Sequence, residues 1–205
     1  MTRKKYLECL QEDLREYPSL CGLIRSASRF GLGGGIIRLY AWVTHNYSIE
    51  FIRHLRRTEY YGGKTGPIFK LLYLYSKWRL KKVSTFTGIT IPPLVCGPGL
   101  TLYHYGSIVV NGNARIGKNC CIQNNVNIGN NSKGSQKSPQ IGDNVYIGPG
   151  AVLYGDITIA DNCFIGANAV VNKSVTEEYS VIAGVPAKVI RKDTKNWLEY
   201  NSLVY

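Results

Sequence analysis

The sequence predicts a mainly β chain with a helical N-terminal part. Two observations predict it. From Val110 an aliphatic residue recurs every sixth position: Val110, Ile116, Ile122 and Ile128. After one break it resumes as Ile141, Ile147, Leu153, Ile159, Ile165 and Val171. The second observation is a companion column two residues earlier: Ile108, Ala114, Cys120, Val126, Pro139, Val145, Ala151, Ile157, Cys163 and Ala169. Almost all of these are small or apolar. A fixed short period of this kind marks a stacked-repeat architecture, in which neighbouring coils bury a core that no single repeat could bury alone.

Each hexapeptide is read as a short strand followed by a turn. Glycine often follows the aliphatic residue, as at Gly117, Gly129, Gly142, Gly148 and Gly166. Turns such as "GKN", "GDN" and "ADN" supply residues that tolerate positive φ. The break lies between Ile128 and Ile141. Its segment "NNSKGSQKSP", 130–139, has no inward aliphatic and reads as a polar excursion from the coils. Loops on a rigid scaffold commonly carry function.

Residues 1–88 read as an α-helical domain of three to five helices. "YLECLQEDLREY" places Leu7, Leu10 and Leu14 on one helical face. "IEFIRHLRRTEYY" has helical spacing, and "GPIFKLLYLYSKWRLKKVS" opens on Pro67 near a helix start. "GGKTG", 62–66, lacks the first glycine at the spacing of a phosphate-binding loop and reads as a turn. The repeat domain spans 89–190, and 191–205 form a tail with a short helix.

The chain carries a net charge of +12, with 44% apolar residues. Residues 1–88 hold 16 Lys/Arg against 6 Asp/Glu, so the basic excess lies there. Such an excess suits an anionic partner, and a membrane surface is a candidate for peripheral contact. No recognised nucleic-acid motif is present, so nucleic acid is not expected. No long apolar run predicts a membrane span, and the N-terminus lacks a signal-peptide pattern. The expected location is the cytoplasm, with the inner membrane surface as a variant. The six cysteines show no metal-type spacing and read as reduced structural thiols. With only three histidines, two of them in the helical region, a three-histidine metal site is not expected.

His104 sits in "TLYHYGSIVV". Counting back six from Val110 makes it a core slot. Yet Cys96 and Leu102 are six apart, while Leu102 and Val110 are eight apart. Two extra residues, with Gly106 among them, re-aim the side chain much as a β-bulge does. His104 therefore need not point inward.

"GPGLTLYHYGSIVVNGNARIGKN", the interrupted repeats, "VYIGPGAVLYGDITIADNCFIGANAVV" and the ending "VIAGVPAKVI" resemble serine acetyltransferases. The resemblance covers about 89–190. It implies a left-handed parallel β-helix with three hexapeptides per coil. It also implies an acetyl-CoA-dependent O-acetyltransferase, working as a homotrimer or a dimer of trimers without a metal. The histidine matching His104 is the family's catalytic base, and a neutral imidazole suits proton removal from an attacking alcohol. Gly129, Gly148 and Ala167 match positions along the coenzyme A groove, with Pro149 where a small alanine is usual. Lys173, Lys188 and Arg191 are candidate partners for its phosphates.

Four further positions depart from the family. Ile89 stands where an aspartate orients the base. Tyr103 replaces the aspartate that precedes it. Ser138 replaces a second histidine, with Lys137 where the family has arginine. Tyr103, Lys137 and Ser138 are thus the candidate acceptor contacts. These departures favour a sugar hydroxyl of a surface polysaccharide or its precursor as acceptor. Serine is the alternative, and a non-catalytic β-helix scaffold is the alternative of another class. No Asp or Glu occurs from Tyr60 to Ile141, leaving a backbone carbonyl, Glu59 or Asp143 to orient His104.

Overall fold

The computed structural model describes residues 1–15, 17, 46–131, 136–193 and 195–201. The chain divides into two compact units, Met1–Thr87 and Gly88–Tyr205.

The first unit contains helices α1 (Arg3–Leu14), α2 (Tyr47–Gly62) and α3 (Pro67–Thr87). Thr2 caps α1 by accepting from the Lys5 amide, and Asn46 caps α2 by accepting from the Ile49 amide. Leu10, Leu14, Tyr17 and Ile49 form one apolar cluster. Leu7, expected on the same face, is exposed instead. At the centre lies an ion network. Arg56 donates from Nε to Asp13 at 2.7 Å, from Nη2 to the same carboxylate at 3.1 Å, and from Nη1 to Glu59 at 3.0 Å. All three side chains are buried. Burial works against the charge, but Asp13 and Glu59 hold the guanidinium well above its ordinary pKa. The "GGKTG" stretch is the turn joining α2 to α3, with Gly66 at φ +109°.

The second unit winds as coils whose strands stack into three sheets. The first contains β1 (Ile89–Thr90), β2 (Ile108–Val110), β5 (Asn127–Gly129), β8 (Val152–Tyr154) and β11 (Val170–Val171). The second contains β4 (Cys121–Ile122), β7 (Tyr146–Ile147), β10 (Phe164–Ile165), β12 (Ser180–Gly184) and β13 (Ala187–Lys192). The third contains β3 (Arg115–Ile116), β6 (Gln140–Ile141) and β9 (Thr158–Ile159). All pairings are parallel except β12–β13, an antiparallel hairpin closing the last coil.

Register explains the sequence columns. Val110 pairs with Ile128, Ile128 with Leu153, and Leu153 with Val171, so one column is one inward ridge of the first sheet. Ile116, Ile141 and Ile159 form the ridge of the third sheet. Ile122, Ile147 and Ile165 form that of the second. Every residue of both columns is buried. Asn119, Asn125, Asn144, Asn162 and Asn168 occupy turns with φ between 53° and 60°, the left-handed region that asparagine tolerates. Asn119 donates to Asn144 at 3.1 Å and Asn144 to Asn162 at 3.0 Å, an amide ladder along one corner.

Cys9, Cys96, Cys120, Cys121 and Cys163 are free and buried, whereas Cys21 lies outside the described residues. Burial pushes the Cys9 thiol up to about 12 and also raises Cys120 and Cys163. No described helix is long and apolar enough to cross a membrane.

The tail forms α4 (Trp197–Asn201). Trp197 is buried and its indole donates to the Asn119 carbonyl at 2.8 Å. The Tyr200 ring meets Phe164 edge-on, its hydroxyl 2.6 Å from Asp193.

Candidate active site

Two interruptions break the coil period. One separates Leu102 from Ile108, and the other separates Ile128 from Ile141. Leu102 and Ile108 are both fully buried. The chain between them must therefore bow outward, and Gly106 at φ +142° permits the bend. His104 rides on that bow and is exposed. The two extra residues place it on the surface, off the aliphatic ridge.

His104 makes no hydrogen bond among the described residues. The acids considered as its orienting partner are used elsewhere. Glu59 accepts from Arg56, and Asp143 accepts from the Lys118 amide at 2.7 Å, fastening one coil turn to the next. Ile89 is fully buried in β1, opposite Ile108. Its side chain fills the core where the resembling family carries a carboxylate.

The half-buried Tyr103 lies beside His104, and its hydroxyl accepts from the Asn201 side-chain amide at 3.0 Å. That contact from the tail was not foreseen. Trp197 and Leu198, after the polar run 191–196, were the available sign that the tail packs down. Lys137 is exposed but ion-paired with Asp156 at 2.6 Å, a bond that raises its pKa. Ser138 is buried, and its hydroxyl lacks a hydrogen-bond partner among the described residues. Within one chain, Ser138 is therefore not presented to an acceptor on the surface.

The candidate coenzyme A positions divide by cause. A Cβ on Gly148 would meet the Ala167 amide nitrogen and the Ile165 carbonyl oxygen at 2.8 Å, so coil stacking alone requires this glycine. Gly129 has no such crowding; a Cβ there would meet only Asn127 at an ordinary 3.5 Å. Its bare backbone leaves the end of β5 open to approach. Pro149 and Ala167 are exposed at the coil edge, as are Lys173 and Lys188. Arg191 is exposed too and pairs with Asp193 at 3.1 Å.

Of the three histidines, His54 is buried in α2 with Glu50 3.6 Å away, and His45 lies outside the described residues. No cluster of three or more metal-ligating side chains occurs among the described residues.

Comparison with known proteins matches this geometry. The model of the bacterial transferase hexapeptide, six repeats, matches residues 138–173. A serine acetyltransferase of Staphylococcus xylosus is 36% identical over 142 residues, covering 68% of this chain and 62% of its own length. The structure of Neisseria gonorrhoeae serine acetyltransferase in complex with serine superposes with a TM-score of 0.65 at 26% identity, over 92% of this chain and 70% of that one. Brucella abortus serine acetyltransferase in complex with coenzyme A shares the fold, with a TM-score of 0.62 at 20% identity over 93% and 82% of the two chains.

The repeat unit is thus a left-handed β-helix of hexapeptide-transferase type. The chain is serine O-acetyltransferase-like, and it matches somewhat under two thirds of its Staphylococcus relative. These likenesses give no support to the sugar hydroxyl expected from the departures at 89, 103 and 138.

Proposed function

We propose that this protein is an acetyl-CoA-dependent O-acetyltransferase whose acceptor is the hydroxyl of L-serine. The observation that carries the reading is His104, lifted out of the aliphatic ridge by two extra residues onto an exposed bow. It occupies the position of the catalytic base in the serine acetyltransferases that the sequence resembles. The serine-bound Neisseria neighbour supports the acceptor. The Brucella neighbour in complex with coenzyme A supports a coenzyme A thioester as donor.

In the reaction, the neutral imidazole of His104 takes the hydroxyl proton as the serine oxygen attacks the thioester carbonyl. The new C–O bond forms and the carbonyl electrons move to oxygen. Backbone amides can stabilise that oxyanion. Collapse breaks the C–S bond, and the imidazolium returns its proton to the departing thiolate. O-acetylserine and free coenzyme A result. Gly129, Pro149 and Ala167 would border the pantetheine arm, with Lys173 and Lys188 toward the phosphates. Arg191 would have to leave Asp193 to join them.

The protein acts as a trimer in this reading, each site lying between neighbouring copies. The exposed His104 has no acidic partner among the described residues of its own chain, which fits a site completed from outside. Tyr103 and Lys137 would border the acceptor, Ser138 reaching it only if the corner loop shifts. With fewer charged contacts for a zwitterion, serine should bind weakly. The reaction takes place in the cytoplasm, where acetyl-CoA is available.

The test is product formation from acetyl-CoA and L-serine, followed by mass spectrometry. O-acetylserine that rises with serine concentration and shows a high KM is the expected result. Acetyl-CoA binding without any O-acetylserine would remove serine as the acceptor.

A further inference from the structure

Helix α3 has two apolar faces. Ser76, Leu80, Val83 and Thr87 are its buried side. On the opposite side, Ile68, Leu71, Tyr75, Trp78 and Phe86 recur at three-, four- and eight-residue steps, which aligns them along one stripe of a 3.6-residue helix. This stripe is open: Ile68 is 71% exposed, Leu71 69%, Trp78 50% and Phe86 67%. Lys70, Lys77 and Lys81 run as a row along one edge of it. Lys82 lies within it, its ammonium 4.4 Å from the centre of the Trp78 ring. Tyr75 and Trp78 pack with ring centres 6.0 Å apart. Arg79, at the stripe's other edge, is held by Glu50 at 3.0 Å. The helix has five Lys/Arg and no Asp or Glu.

We infer that this face of α3 docks the protein on the surface of an anionic lipid bilayer, lying in the plane of the headgroups. An apolar stripe rich in tryptophan, tyrosine and phenylalanine, edged by lysines, matches a layer that is hydrocarbon below and negatively charged above. Long lysine stems can lie along the stripe while their ammonium groups reach phosphate. A second copy of the same face is a poorer occupant. Face-to-face pairing would bring lysine rows together, and α3 supplies no carboxylate to neutralise them. The inference rests on α3 alone and is independent of the acetyl-transfer reading.

The test is co-sedimentation of the full-length protein with phosphatidylcholine vesicles containing about 40% phosphatidylglycerol, alongside vesicles of phosphatidylcholine alone. The expected result is binding to the anionic vesicles, at least about tenfold weaker without the charged lipid and weaker again in high salt. Leu71→Ser with Trp78→Ser should lower binding by about tenfold or more, and so should Lys70, Lys77 and Lys81 changed together to Gln. Far-UV circular dichroism and the sedimentation coefficient without vesicles should remain those of the parent. Equal binding of parent and variants would overturn the proposal. So would absence of binding to anionic vesicles, including the case where the Leu71/Trp78 variant instead dissociates an oligomer.

Discussion

The two units solve the problem of a buried interior in opposite ways. The β-helix buries aliphatic columns, and the amides of Asn119, Asn144 and Asn162 sit at one corner, each paired with a neighbour one coil away. The helical unit carries Arg56, Asp13 and Glu59 into its interior as a network of buried charges. The first arrangement repeats, so each coil depends on its neighbours much as the next does. The second is singular: one guanidinium neutralises the carboxylates of both α1 and α2. Loss of a partner should therefore matter most in the helical unit, and loss of volume most in the coils.

The largest stability effect is expected from Arg56→Ala, which strands the Asp13 carboxylate in the interior. A cost of about 3–5 kcal/mol is expected. Hydrogen exchange should accelerate in α1 and α2, while amides of β7 and β10 keep their protection. Uniform loss of protection across both units would erase the distinction.

Ile147→Ala should come next. Ile147 is fully buried between Ile122 and Ile165, and truncation leaves a cavity in a ridge that cannot close around it. Urea denaturation should show a loss of about 3 kcal/mol. A loss below about 1 kcal/mol would mean that the coils relax more freely than their stacking implies.

Asn144→Ala should cost less, about 1–2 kcal/mol, from a broken amide ladder and an alanine forced to φ +56°. Asn144→Gly restores the backbone freedom but not the ladder, so it should recover part of the loss.

The smallest effect concerns the thiols. Cys9, Cys120 and Cys163 should resist iodoacetamide at pH 8 in the native protein, and peptide mass spectrometry would show it. Because burial raises the Cys9 pKa to about 12, its neutral form is favoured by folding. Its stabilising contribution is complete below the unfolded thiol value near 9, and declines as pH climbs from there toward 12. Rapid labelling of Cys9 at pH 8 would contradict its burial.

The β-helix was legible because its contacts repeat at a fixed spacing, so ten aliphatic positions disclosed the inward column, whereas its division into three ridges appears only in the strand pairing. The bow that carries His104 was legible as a count of eight where six was due. The Arg56–Asp13 pair was not, since 43 residues separate its members and no periodicity links them. Leu7 showed the limit of helical spacing: α1 covers only part of its apolar side. At the site, sequence identified positions but not their environment. The burial of Ser138, the capture of Lys137 by Asp156, and the reach of Asn201 to Tyr103 each depend on side chains far along the chain. The acceptor expected from the residue types at 89, 103 and 138 was a sugar, whereas the relatives that the chain matches are serine acetyltransferases.

The central claim is that the exposed imidazole of His104 is the base of acetyl transfer. The most direct measurement is the rate of coenzyme A release with saturating acetyl-CoA and L-serine, for the parent and for His104→Ala, with acetyl-CoA binding measured separately by calorimetry. The expected result is a fall in kcat of about 10²–10⁴-fold with binding of acetyl-CoA unchanged. A variant that turns over at near the parental rate would contradict it.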